Sequence, residues 1–600
     1  MDERLPTSAA ADEAAVEFAS GRAFASLRAW IIAHAAEIIC GLMLTLMSLQ
    51  MLFVISRKSI TIDEIVMIPS GYYHLATGNF ELVYEHPPVS KIVAAIPLLF
   101  MQPEEIRPDQ IPVDDGSLDA RNAAIGKLWD NNRASFWAMS FWPRAFMIGL
   151  CVALGLLIFR FARELFGPLA ATLAVTLFAL EPTVLAHGRV VQTDIPAAFG
   201  YLLFFFMLRR YTLDHSLKRA VWLGFAIGFA VLTKYSMLLV GPIIVAYFGL
   251  QVWKRIKADE DWARSVGHCL IAGFVSIFTI NAAYLFQHRR LVPWDVQTMH
   301  QMFPQAAGGL VSLTSVLSYI LPADFVLGIL RQIWHNSVGH SAGLLGMYSE
   351  TGWWYYFPVA FALKVTIPFL LLSLAALVWS VTRAMKSRDL NHLWMLAPVF
   401  VYTFFVLFSR IDIGVRYYLP AYSFLCILGG ALLAWLWKSR KAARLGMFAA
   451  ILLIGWIGVE AVRAFPNHMS YMNQIAVRPH WWYLSDSNVE WGDDTAELAA
   501  YLRARGETRV RSSFLGDYFV LHYYGVEPVK VPTAGGEEPE KTRYIAIGAS
   551  FLNGSTVPGR IINGHETSEW ERVNFFDKYR HQTPEAVFGG SIYLYREDDQ

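Results

Sequence analysis

Met43-Leu-Thr-Leu-Met-Ser-Leu-Gln-Met-Leu-Phe-Val-Ile55 contains no charged residue, and just beyond it the chain reads Thr61-Ile-Asp63-Glu64. With its flanks this apolar run is long enough to cross the roughly 30 Å hydrocarbon layer, which takes about 20 residues of helix. Three more runs share its character: Met147 to Phe159, Val359 to Val381 with one lysine, and Met447 to Val459. The chain is 55% hydrophobic and 16% charged over 600 residues, and the charges gather between the apolar blocks. This is the pattern of a multi-span α-helical membrane protein, because a helix satisfies its backbone groups without water. The net charge of +1 says little about such a chain, which segregates its charges, and no nucleic-acid partner is expected.

Working outward from the first run, apolar blocks alternate with charged connectors and predict eleven spans. They fall at 30–55, 135–159, 167–186, 193–208, 220–235, 237–253, 266–286, 354–382, 393–409, 417–437 and 445–464. Every second connector is basic, from Arg160 and Arg163 through Arg209, Arg210, Lys218 and Arg219 to Lys438, Arg440, Lys441 and Arg444. By the positive-inside rule these connectors are cytoplasmic. Residues 1–29 then form a cytosolic tail, 30–464 a membrane domain, and 465–600 an extracytoplasmic domain, most simply in a bacterial inner membrane. Connectors 56–134 and 287–353 are long and lie on the far side, where loops of that length are usually functional. Within them, the segments starting at Ile65 and Val316 read as amphipathic interfacial helices.

From 465 onward, 13 Lys/Arg face 19 Asp/Glu, a net charge of −6. A helical stretch from Asp493-Asp494 to Gly506, then strand-like Arg509 to Phe514, Tyr544 to Gly548 and Ser591 to Tyr595, predict a small α/β domain. Cys40, Cys151, Cys269 and Cys426 all lie in apolar runs, which leaves no disulfide framework or zinc spacing.

The chemistry concentrates on the far side. Asp63 and Glu64 follow the first span, and Glu85-His86-Pro87-Pro88-Val-Ser-Lys91 follows them, its two prolines shaping the backbone. Arg189-Val-Val-Gln-Thr193-Asp194-Ile-Pro196 opens the fourth span, Lys234 ends the fifth, and Arg416 opens the tenth. Each has an ordinary alternative: an interfacial acidic pair for Asp63 and Glu64, helix capping for Thr193 or Asp194, snorkelling for Lys91, Lys234 and Arg416. Ionisable groups at the edge of a bundle usually face an internal cavity. Carboxylates and cations gathered there suit glycosyl transfer from a lipid-linked sugar, in which a carboxylate takes the acceptor proton and cations stabilise the departing phosphate.

The Asp63-Glu64 pair, the His-Pro-Pro-x-x-Lys run, the Arg189-to-Asp194 signature, Leu232-Thr-Lys234-Tyr and Gly414-Val-Arg416-Tyr-Tyr-Leu-Pro420 together resemble the GT-C superfamily of polyprenyl-phosphate-dependent glycosyltransferases. The similarity is to its protein O-mannosyltransferase and aminoarabinose-transferase branch. Asp486-Ser-Asn488-Val-Glu490-Trp491-Gly-Asp493-Asp494 resembles a motif of bacterial members that carry an extracytoplasmic C-terminal domain. The resemblance implies a GT-C fold and an inverting transferase with Asp63 as catalytic base, Glu64 and Asp194 beside it. Glu85, His86, Lys91, Arg189, Lys234 and Arg416 would bind substrate, with Lys91 clamping the phosphate. The expected partners are a polyprenyl-phosphate sugar and an acceptor lipid, glycan or protein.

One departure stands out. The mannosyltransferases commonly place an aspartate two residues before His-Pro-Pro, where this chain has Tyr84, with Glu85 adjacent. Mannose and a protein acceptor are therefore not implied. No cofactor is expected, since the lipid-linked sugar is a substrate, and isolated His74 and His86 predict no metal site. The rival reading, a flippase of lipid-linked sugar or polysaccharide, calls for internal symmetry and charges at the midplane. Neither is visible in the sequence. At Asp493-Asp494, helix capping is the leading reading, ahead of ion or sugar binding.

Overall fold

The computed structural model describes residues 28–104, 118–439, 443–531, 541–556, 561–562 and 565–597. All but the last two residues of the expected cytosolic tail fall outside them.

Each of the eleven predicted spans coincides with helix, and among the described residues seven helices are long and apolar enough to cross a membrane. Two predicted spans are each a pair of helices. The span over 167–186 is Pro168–Leu180 followed by Pro182–His187, and that over 354–382 is Tyr356–Lys364 followed by Ile367–Ser387. Proline sets both restarts: Pro182 occupies the first turn of its helix and Pro368 the first turn of its own, where a missing N–H costs nothing. At the second break Thr366 caps the new helix by accepting from Phe369 N at 3.4 Å. Glu181 takes up the freed backbone, accepting from Thr366 N and Oγ1 at 3.1 and 3.0 Å.

Leu419–Lys438 is the central helix of the bundle, buried along nearly its whole length. It packs against Pro168–Leu180, Asp194–Leu213, Ile367–Ser387, Leu390–Val406 and Ala443–Ala464. Gly430 makes the approach to Pro168–Leu180 possible, because a Cβ there would sit 2.5 Å from Ala170 O and 2.7 Å from Ala174 N. Small residues at such crossings let backbones close up where hydrocarbon supplies little hydrophobic drive.

The two expected interfacial segments differ. Ile62–Thr77 buries Ile65, Met67, Ile68, Tyr72 and His74 and packs on Pro88–Met101, so it belongs to the protein interior. At the end of Ala307–Leu317, by contrast, Val316 and Tyr319 are exposed, as an interfacial element requires.

The C-terminal α/β region is a five-stranded sheet in the order Glu527–Lys530, Arg509–Ser513, Tyr544–Gly548, Ile592–Arg596, Ala586–Phe588. The first three strands are parallel and the last two antiparallel to their neighbours. Residues between the last membrane helix and the sheet turn back onto the bundle. Asn473 donates to Ala362 O and Val365 O at 2.6 and 2.7 Å, capping the exposed carbonyls at the helix break. The stretch 486–494 goes further and reaches the site.

Candidate functional site

Three chain turns meet at one cavity: the turn before Ile62–Thr77, the turn before Asp194–Leu213, and the short 3₁₀ turn Val415–Tyr418. The cavity is about 290 Å³ and its lining includes Asp63, Glu85, His86, Gln192, Arg416 and Asp486. Arg331, His335 and His340, from the long connector after the seventh span, line it as well.

Asp63 and Glu64 are neighbours with opposite surroundings. Glu64 is buried; it accepts from Thr61 N at 2.7 Å, completing a capping box, and from Val191 N at 2.8 Å. Its oxygens tie the turn before Asp63 to the turn before Asp194, and it is not among the residues lining the cavity. Asp63 keeps 30% of its side chain exposed at the cavity. Gln192 donates to it, and Arg416 Nη1 stands 3.6 Å away. Burial pushes the Asp63 carboxyl up to about 6, against the pull of Arg416 and with further push from Asp486 and Asp194.

Arg416 is the hub. Its Nη1 donates to Asp194 Oδ2 at 3.2 Å, its Nε donates to Ser487 Oγ at 2.8 Å, and the guanidinium lies 4.2 Å from the Trp491 ring centroid. Asp194 also accepts from Lys234 Nζ at 2.6 Å, and that ammonium sits 3.4 Å from the Tyr417 centroid. The capping alternative for the fourth span is not realised: Thr193 makes no side-chain cap bond, and the Asp194 carboxylate is held by two cations. With both oxygens engaged, Asp194 orients Arg416. Snorkelling is likewise not what Lys234 and Arg416 do, since both are buried.

Two expected substrate-binding residues point elsewhere. Lys91 is buried and donates to Val83 O, closing its own Pro-Pro turn, and does not line the cavity. Arg189 is buried against Asp493 at 3.0 Å. Glu85 and His86 do line the cavity, and burial pulls the His86 imidazole down to about 3, which leaves it neutral.

The sequence reading left Gln192, Trp491, Asp486, Arg331, His335 and His340 out of the site. The last two form a pair, Nε2 to Nδ1 at 3.2 Å. Capping of the helix after Asp493-Asp494 by those side chains is also absent; Asp493 pairs with Arg189, and Asp494 with Lys58 and Ser591.

Residues 135–280 match the family described as dolichyl-phosphate-mannose-protein mannosyltransferase. Over that segment the chain is similar to this family. The segment carries the signature from Arg189 to Asp194 and Lys234, so it agrees with the resemblance read from the motifs. No curated protein sequence matches the chain. Among solved structures, the archaeal oligosaccharyltransferase AglB of Archaeoglobus fulgidus, in complex with an inhibitory peptide and a dolichol-phosphate, is 12% identical. It aligns over 86% of this chain and 70% of its own, with a TM-score of 0.44. ArnT of Cupriavidus metallidurans bound to undecaprenyl phosphate is 11% identical over 92% of this chain and 97% of its own, also at 0.44. The S. cerevisiae protein O-mannosyltransferase Pmt1-Pmt2 complex bound to the sugar donor is 15% identical over 42% of this chain and 32% of its own, at 0.28.

Proposed function

We propose that this chain is an integral-membrane glycosyltransferase of the GT-C type. It moves a sugar from a polyprenyl-phosphate donor to a hydroxyl-bearing acceptor on the extracytoplasmic side, with inversion. The observation that carries this reading is the meeting, at one cavity, of a partly free carboxylate, Asp63, and a fixed guanidinium, Arg416, 3.6 Å from it. Asp63 takes the acceptor proton as the new glycosidic bond forms. A base is most effective when its pKa approaches the working pH, and burial moves Asp63 in that direction.

Phosphate leaves with the bonding electrons and needs a pre-placed cation. Arg416 supplies it, aimed by Asp194, Ser487 and Trp491. Arg331 adds a second positive charge to the cavity lining. The neutral histidines His86 and His335 provide hydrogen-bonding capacity to sugar hydroxyls. Alternation of basic connectors supports a cavity and C-terminal sheet outside the cytoplasm.

The test is transfer of labelled sugar from membrane lipid in cells carrying either the wild type or Asp63→Asn, at equal membrane levels. Loss of a glycan that the wild type makes supports the reading and reveals the acceptor. Unchanged glycan output refutes it.

A further inference from the structure

Asp486 belongs to the cavity yet has no part in the chemistry described above. It sits at the start of the stretch that turns back from the C-terminal region, and its carboxylate lines the same cavity as Asp63 and Arg416. Among the described residues it forms no ion pair; one oxygen, Oδ1, accepts from Ser487 N at 2.6 Å. The two carboxylates that Arg416 meets, Asp194 at 3.2 Å and Asp63 at 3.6 Å, are engaged or already assigned.

The backbone under Asp486 is held in an uncommon shape. Its φ is +54°, the left-handed region that costs a non-glycine residue energy. Five hydrogen bonds fix this turn. Its N–H donates to Ser550 Oγ at 2.7 Å, and its carbonyl accepts from Val489 N and Glu490 N at 2.9 and 3.0 Å. The next residue, Ser487, donates to Ile413 O at 2.6 Å while accepting from Arg416 Nε. Asp486 is thus registered to the sheet through Ser550 and to the phosphate-side cation through Ser487.

We infer that Asp486 is an acceptor-binding residue, contributed by the C-terminal region, that accepts hydrogen bonds from the hydroxyl-bearing acceptor beside Asp63. This rests on the transferase reading. A carboxylate repels a phosphate and welcomes hydroxyls, so the acceptor is the partner it suits, while Arg416 and Arg331 suit the donor phosphate.

The experiment uses the full-length protein. Asp486→Asn, Asp486→Glu and Ser550→Ala are compared with wild type and Asp63→Asn for labelled-sugar transfer in cells at matched membrane levels. The purified proteins are compared for binding of farnesyl phosphate and for thermal melting. Asp486→Asn should lower transfer about tenfold, the worth of one hydrogen bond to a charged group, with farnesyl phosphate binding and melting unchanged. Asp486→Glu should recover part of the loss, and Ser550→Ala should fall between wild type and Asp486→Asn. Wild-type transfer by Asp486→Asn overturns the proposal. So does a parallel fall in transfer, farnesyl phosphate binding and melting, which makes Asp486 a structural residue only. If Asp63→Asn also transfers normally, it is the transferase reading that fails; if Asp63→Asn is inactive and Asp486→Asn is not, only the role of Asp486 falls.

Discussion

Two buried charge networks lie on either side of the segment 59–62, and they are built on different terms. In the outer one, Lys58 meets Asp494 and Glu497, the latter at 2.8 Å, and Arg189 meets Asp493. Arg144 crosses beneath, donating to the carbonyls of Ile55, Lys58 and Ser59 at 3.0 to 3.2 Å. In the inner one, Arg416 and Lys234 are matched to Asp194, but Asp63 stands 3.6 Å from Arg416 and, among the described residues, Asp486 has no ionic partner. The outer network lines no part of the cavity and joins the membrane domain to the C-terminal region; the inner one opens on the cavity through Asp63, Arg416 and Asp486. Charged groups gathered at a cavity, with a carboxyl shifted as that of Asp63 is, mark a candidate site of chemistry.

That contrast can be broken by substitution. Asp63→Asn should give the largest effect, a loss of about a thousandfold in transfer, within the range for removing a general base; a loss under tenfold would mean that the inner network is structural like the outer. Arg416→Met should lower transfer about a hundredfold by removing the cation opposite the leaving phosphate, and single-turnover transfer rates would measure it. Arg189→Met strands Asp493 as a buried charge and should cost about 3 kcal/mol of stability. The double variant Arg189→Met/Asp493→Asn should recover much of it, and thermal melting in detergent checks both.

Proton activity sharpens the same comparison. Transfer should fall about tenfold for each pH unit below about 6, because the folded carboxyl of Asp63 takes up a proton there and a protonated acid cannot serve as base. Measured over pH 4 to 8, an acid limb that persists in Asp63→Asn residual activity would assign the titration to another group. The smallest effect expected is that of Glu64→Gln. It keeps the shape and one of the two backbone bonds that Glu64 accepts but sets an amide NH2 against the other N–H, costing about 2 kcal/mol of stability and less than tenfold in transfer.

Much of this architecture is legible in the order of residues. Spans are readable because hydrocarbon demands long uncharged helix, and the turns carrying Asp63, Glu85, His86 and Arg416 announce themselves as polar signatures at span ends. What the sequence hides is direction. Lys91 looks like a phosphate ligand and instead turns inward to Val83 O; Glu64 looks like the twin of Asp63 and is a cap. Arg189 stands in the same signature as Asp194, yet it serves the outer network. Asp486 and Trp491 stand out only as parts of a motif without a place at the site, and His335 and His340 escape notice, because only tertiary packing brings the four to the cavity and local spacing has no access to that. The break at Val365-Thr366 is readable in part from Pro368, but its compensation by Glu181 is not.

Backbone pairing between 59–62 and 491–493 has a consequence for biogenesis. Ser59 N donates to Asp493 O at 2.9 Å and Ile62 N to Trp491 O at 3.0 Å, and Gly492 between the two acceptors takes a φ of +90° that side chains resist. The turn presenting Asp63 is therefore finished by residues that leave the ribosome more than four hundred positions later. During synthesis this turn lacks two of its backbone partners until the late segment has been made and has docked against it.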